Sequence, residues 1–182
     1  MDACEGEILF NKRGKMKITQ KITPHLWFAH EAEEAVAYYT SIFKNSKIGS
    51  ISRYGEAGHE IHGMEAGTVM SIEFELEGMQ FAALNGGPAF RFNEAVSLIV
   101  NCETQEEVDY YWEKLGEGGD PEAQQCGWLK DKYGISWQIT PVGAVEMLND
   151  PDHEKSERAM EAVLKMKKLD VAEIRAAFDG VD

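Results

Sequence analysis

An internal repeat constrains this chain more than any other feature. Residues 28–43, FAHEAEEAVAYYTSIF, align with residues 100–115, VNCETQEEVDYYWEKL, without a gap at an offset of 72. The alignment pairs Glu31 with Glu103, Glu34 with Glu106, Val36 with Val108, and the two Tyr-Tyr pairs. Such spacing means one supersecondary unit built twice. Apolar positions Ala35, Val36, Tyr39, Ile42 and Phe43 fall on one helical face, as do Val108, Tyr111, Trp112 and Leu115. Thr104 and Glu107 predict a capping box for the second helix. A strand-like run precedes each helix, ITPHLWF at 22–28 and AVSLIVN at 95–101.

Strands and turns follow each helix. The first half offers runs at 46–54 and 68–76, a Glu77-Gly78 turn and a run at 79–85. The second half offers runs at 123–126 and 127–130, a turn at 131–134 and a run at 135–140. Gly78 and Gly134 occupy matching turns at an offset of 56. The expected fold class is therefore α+β, with tandem βαβββ modules at about 17–87 and 88–143 joined by the NGGPAF linker at 85–90. Residues 152–168 and 171–178 carry helical periodicity and predict a helical tail over 144–182, packed on the modules or on another subunit. Residues 1–16 show no clear period and read as an N-terminal extension, with Met16 an alternative start.

Charge narrows the function classes. Eighteen basic against 32 acidic residues give a formal charge of −14, which opposes nucleic acid and anionic membranes as partners and favours a small organic molecule. No apolar run approaches the ~20 residues that span a bilayer, and a signal-peptide core is missing, so a cytoplasmic protein is expected. Cys4, Cys102 and Cys126 lack a C-x-x-C spacing and read as reduced thiols.

PHLWF before a helix ending AYYTSIF, FAALNGGPAF at the linker and CGWLKDKYGISWQITP near the end of the second module resemble the PhnB-like branch of the vicinal-oxygen-chelate superfamily, over about residues 17 to 143. That superfamily includes glyoxalases, extradiol dioxygenases, fosfomycin-resistance transferases and bleomycin-binding proteins, and this branch often carries the label 3-demethylubiquinone-9 3-methyltransferase. Methyltransferase activity is not expected, because the chain lacks the glycine-rich strand-to-helix turn and the alternating parallel β/α pattern of an S-adenosylmethionine fold. The resemblance implies a glyoxalase-like, cup-shaped sheet, a ligand on its concave face and a homodimer, the last also expected from exposed sheet edges.

Four superfamily ligand positions carry over onto His25, Ala82, Ser97 and Gln138. Alternation puts Ser136, Gln138 and Thr140 on one strand face and Ile135, Trp137 and Ile139 on the other, with Thr23, His25 and Trp27 likewise opposite Leu26 and Phe28. The expected ligand-binding residues are His25, Trp27, Ser97, Ser136 and Gln138. His25 and Gln138 alone form an incomplete site for a divalent metal ion, with Glu73, Glu75 and Glu94 as further donors. Two readings follow: a cup that binds a small molecule, and a metal-dependent enzyme acting on vicinal oxygens; an interaction module built on the acidic helical tail is a third. His59 and His62 fall in a glycine-flanked loop, Cys126 reads as a small core residue, Trp128 and Trp137 read as packing aromatics, and Arg53 and Arg91 could meet an anionic substrate.

Overall fold

The computed structural model describes residues 20–181, so the expected extension at 1–16 lies outside the described residues. The chain divides into two compact units, one ending at Arg91 and one beginning at Phe92.

The first unit runs β1 (His25–Phe28), α1 (Ala32–Ile42), β2 (Ser46–Arg53), α2 (His59–His62), β3 (Val69–Leu76) and β4 (Met79–Asn85). Its sheet has the order β1-β4-β3-β2, with β1 parallel to β4 and the other pairs antiparallel. β1 is shorter than the predicted run because Pro24 has no N–H to donate, although its carbonyl still accepts from Ala82 N–H. The stripe of Ala32, Ala35, Val36, Tyr39 and Ile42 on α1 is buried, as are Ile72, Phe74, Phe81 and Ala83 on the strands it covers. Each large side chain buried this way contributes roughly 1.5–3 kcal/mol. Glu31 offers α1 no side-chain cap. Asn85 caps it instead, accepting from Ala32 N–H at 2.9 Å and donating to the Val69 carbonyl at 3.1 Å, which ties the end of β4 to the start of α1.

The second unit runs β5 (Ser97–Cys102), α3 (Gln105–Gly116), β6 (Asp120–Gln125), β7 (Trp128–Lys130), β8 (Ser136–Pro141), α4 (Val142–Leu148), α5 (His153–Val163) and α6 (Val171–Asp179). Its sheet, β5-β8-β7-β6, repeats the first topology. Thr104 accepts from Glu107 N–H, and the Glu107 carboxylate reaches back to Glu103 N–H, so the expected cap is formed. Cys126 and Gly127 make a two-residue turn with φ of 51° and 82°, matching Glu77 and Gly78 at 45° and 81°. The predicted strands at 123–126 and 127–130 therefore stop short of this turn, whose left-handed backbone cannot stay in a ladder.

The helical tail packs on its own module. Ala144, Met147, Ala159, Val163, Leu169, Ile174 and Phe178 form its core, with Cys126 against it. α5 ends at Val163 rather than continuing to 168, because the Met166 and Lys167 carbonyls turn to accept from Cys126 and Gly127 N–H at 2.8 Å each. The Gln105 side chain accepts from Val171 N–H and donates to the Leu169 carbonyl, a second fastening.

Candidate functional site

In each unit a helix covers one sheet face, which leaves the other face of the sheet open to a ligand. On the open face of the first sheet, β1, β4 and β3 place His25, Ala82 and Glu73 in one cross-strand row. With strands about 4.8 Å apart, two strand spacings separate His25 from Glu73, bridged only by a methyl group. Glu73 turns away, accepting from Ser50 Oγ at 2.6 Å. Glu75 pairs with Lys47 at 3.0 Å and accepts from Gln80 Nε2. Both carboxylates are thus satisfied by their own sheet. His25 is exposed. Trp27 is half-buried, and its indole donates to the Gly87 carbonyl at 2.9 Å while Phe90 meets it edge-on at 4.9 Å. That engagement makes Trp27 the anchor of the NGGPAF linker.

The 131–134 turn rests on Asp131, which is 3% exposed. Its Oδ1 accepts from Tyr133 and Ile135 N–H, and its Oδ2 accepts from the Trp137 indole at 2.8 Å. Trp137 is accordingly core. The turn brings β8 back with Ser136, Gln138 and Thr140 on the open face, and register gives two rows there: Ser97, Ser136 and Lys130, then Ile99, Gln138 and Trp128. Gln138 Nε2 donates to Ser97 Oγ at 2.8 Å. Ser136 is 2% exposed and its Oγ has no hydrogen-bond partner among the described residues. Lys130 is paired with Glu94, so Glu94 is engaged rather than available as a metal donor. That bond, ahead of the smaller pull of the local backbone, holds the Glu94 carboxyl below the usual carboxylate range.

The structure therefore brings Ser97, Ser136 and Gln138 together within the second unit, while His25 and Trp27 lie in the first. It also corrects the repeat. His25 lies opposite Ala82, but Gln138 lies opposite Ile99 and Ser97 opposite Ser136. Pairing His25 with Ser97 and pairing Ala82 with Gln138 therefore exclude each other, because the connection between the last two strands is 77–78 in the first unit and 131–135 in the second. Lys130 was missed by sequence reasoning; the only signal was its place, by alternation, on the face of Trp128.

Within each unit taken by itself the donors gather no metal centre. Ala82 has no donor atom, Gln138 is turned to Ser97, and no three His, Cys, Asp or Glu side chains among the described residues lie close enough to hold an ion. His59 and His62 sit on the four-residue α2 rather than in a loop, since αL glycines at 58 and 63 flank a single helical turn. His62 packs on Tyr54 at 4.5 Å and accepts from Met64 N–H, which is a structural use. Arg53 donates to the Gly67 carbonyl. A cavity of about 490 Å³ lies elsewhere, along the seam where α3, α4 and α6 begin, lined by Glu103, Gln105, Pro141, Asp170 and Arg175 among others.

The 3-demethylubiquinone-9 3-methyltransferase family matches residues 20–140. The chain belongs to that family. A PhnB protein from Bacillus cereus is 43% identical, with 68% of this chain covering all of that one at a TM-score of 0.57. The solved Pseudomonas aeruginosa protein PA1353 shares the fold at 18% identity and a TM-score of 0.52, over 68% of this chain and 98% of its own. No curated protein matches the chain. The PhnB-like, glyoxalase-like fold is thus established, and among the described residues no helix is long and apolar enough to cross a membrane.

Proposed function

We propose that this PhnB-like protein of the vicinal-oxygen-chelate superfamily binds a small organic molecule on the helix-free faces of its sheets. The observation that carries the reading is the buried, unpartnered Ser136 hydroxyl beside the Ser97–Gln138 hydrogen bond. Folding leaves few buried polar atoms unpaired, and this one lies just under the side chains of the helix-free face, where a bound molecule or water would supply its partner. His25, exposed on the first sheet, is a second contact under the same proposal. Methyltransferase chemistry is not proposed, since each sheet is a four-stranded mixed sheet rather than a run of parallel βα units. A homodimer belongs to the proposal because β2 is an eight-residue edge strand with Ile48 and Ile51 about half exposed.

The divalent-metal enzyme is the rival reading, and one experiment separates the two. Chelator-stripped protein is melted with Mn, Fe(II), Co, Ni and Zn and with a library of small organic molecules, beside His25→Ala and Gln138→Ala. A species that binds only the folded state raises the melting temperature by mass action. The expected result is stabilisation by organic compounds that Gln138→Ala diminishes. Stabilisation by a single ion, abolished by both substitutions, would put the metal reading in its place.

A further inference from the structure

The open face of the second sheet is rich in donors. Ser97 Oγ accepts from Gln138 Nε2, which leaves the Ser97 O–H free to donate. The Ser136 O–H has no acceptor among the described residues. Lys130, the direct cross-strand neighbour of Ser136, adds an ammonium group. One acceptor answers these donors from within the chain: the Glu94 carboxylate on Lys130. The two partners are unequal, with the Lys130 side chain 25% exposed on the sheet and Glu94 61% exposed above it. Glu94 is therefore the partner that solvent can carry away. Beside this polar row lies an apolar one, Ile99 at 57% exposure and the half-buried Trp128 on either side of Gln138.

Resting on the small-molecule reading above, we infer that the ligand of this face is an aromatic or similarly flat carboxylate, whose anionic oxygens take Lys130 from Glu94 and accept from the Ser136 and Ser97 hydroxyls while its apolar body lies on Ile99 and Trp128. Glu94 serves as the resident stand-in for the ligand's carboxylate, keeping the lysine neutralised when the face is empty. Its depressed proton affinity, caused first by the bond to Lys130, agrees with a carboxylate already occupying an anion position. The chain's net charge does not oppose this, because charges more than about 8 Å away are screened at physiological salt. An exposed ion pair is also cheap to exchange, whereas a charge-assisted bond to a ligand shielded by Trp128 is stronger.

The test uses 2-naphthoate as the probe, with neutral 2-naphthamide beside it, titrated into the full chain by calorimetry and by amide NMR of Trp128 and Ser136. Naphthoate is expected to bind and to shift both amides. Glu94→Gln should tighten it roughly two- to fivefold by freeing the lysine. Lys130→Met should weaken it about tenfold or more, and naphthamide should bind weakly and ignore both substitutions. If Lys130→Met does not fold, Glu94→Gln decides alone, since it leaves the sheet untouched. Unchanged or weaker naphthoate binding in Glu94→Gln overturns the inference. Equal binding of naphthamide at the same amides also overturns it while leaving the small-molecule reading standing. If neither probe shifts this face, the inference falls and the Ser136 argument for a ligand falls with it.

Discussion

Asp131→Asn gives the sharpest test of how the 127–141 segment is held. The carboxylate is 3% exposed, and its partners include three N–H groups, two from the backbone of its own turn and one from Trp137. An amide has only one acceptor atom. If its oxygen keeps the Tyr133 and Ile135 N–H groups, its NH2 must face the Trp137 indole, donor against donor. Losing one charge-assisted bond and stranding a buried donor should cost about 2–4 kcal/mol. Trp137→Phe alone also destabilises, through lost packing and the loss of the indole's hydrogen bond to the carboxylate. In the Asn background it removes the donor conflict, so its cost there should be smaller by about 1–3 kcal/mol. Urea unfolding of the four proteins, followed by far-UV circular dichroism, measures the cycle. Costs that add to within about 0.5 kcal/mol would refute the assigned geometry.

Gly119→Ala should be among the most damaging single substitutions, because the new Cβ would lie 2.1 Å from the Lys130 carbonyl oxygen, which the sheet fixes. Gly86→Ala meets the Trp27 ring at 2.3 Å and should displace it, visible as a shifted tryptophan emission and a loss of about 1–3 kcal/mol. Asp109 titrates below the usual carboxylate range, chiefly because Lys168 donates to it. A depressed folded-state value means stability that is present at neutral pH and lost as pH falls through that value; Lys168→Met should raise the Asp109 midpoint in an NMR titration and reduce this acid sensitivity, leaving the part due to Gln105. Burial, with a smaller contribution from Glu107, pushes the Cys102 thiol up to about 12, so native protein treated with iodoacetamide near pH 8 should be alkylated at Cys126 well before Cys102, with labelling of Cys102 awaiting denaturant.

Local chemistry made much of this fold legible. The helix faces at Val36 and Val108, the cap at Thr104, the Glu77-Gly78 turn and the alternation around Gln138 depend on residues within a few positions of one another, and each formed as the spacing predicts. What escaped depends on distant partners. α4 was missed because it starts directly after Pro141 with no side-chain cap. Trp27 and Glu73 pointed to a binding face by alternation, yet register delivers Gly87 to one and Ser50 to the other. The Lys130–Glu94 pair joins residues 36 apart, and nothing near either announces it. The pairings of His25 with Ser97 and of Ala82 with Gln138 do not hold together for a subtler reason: a repeat can keep its helix spacing while a hairpin of different length shifts the strand that follows it.

The tail is joined to the second module through main-chain atoms, with the Met166 and Lys167 carbonyls meeting Cys126 and Gly127 N–H. Main-chain atoms do not change when residues are substituted, so this part of the union tolerates most mutations on either side of it, whereas the Gln105 and Lys168–Asp109 contacts do not. The one side that cannot drift is Gly127, where a Cβ would meet the Ile139 carbonyl at 2.9 Å and Leu169 at 3.1 Å. An appendage that follows the family's matched residues 20–140 can thus diverge in sequence at these carbonyls while remaining fastened, with Gly127 as the position it depends on.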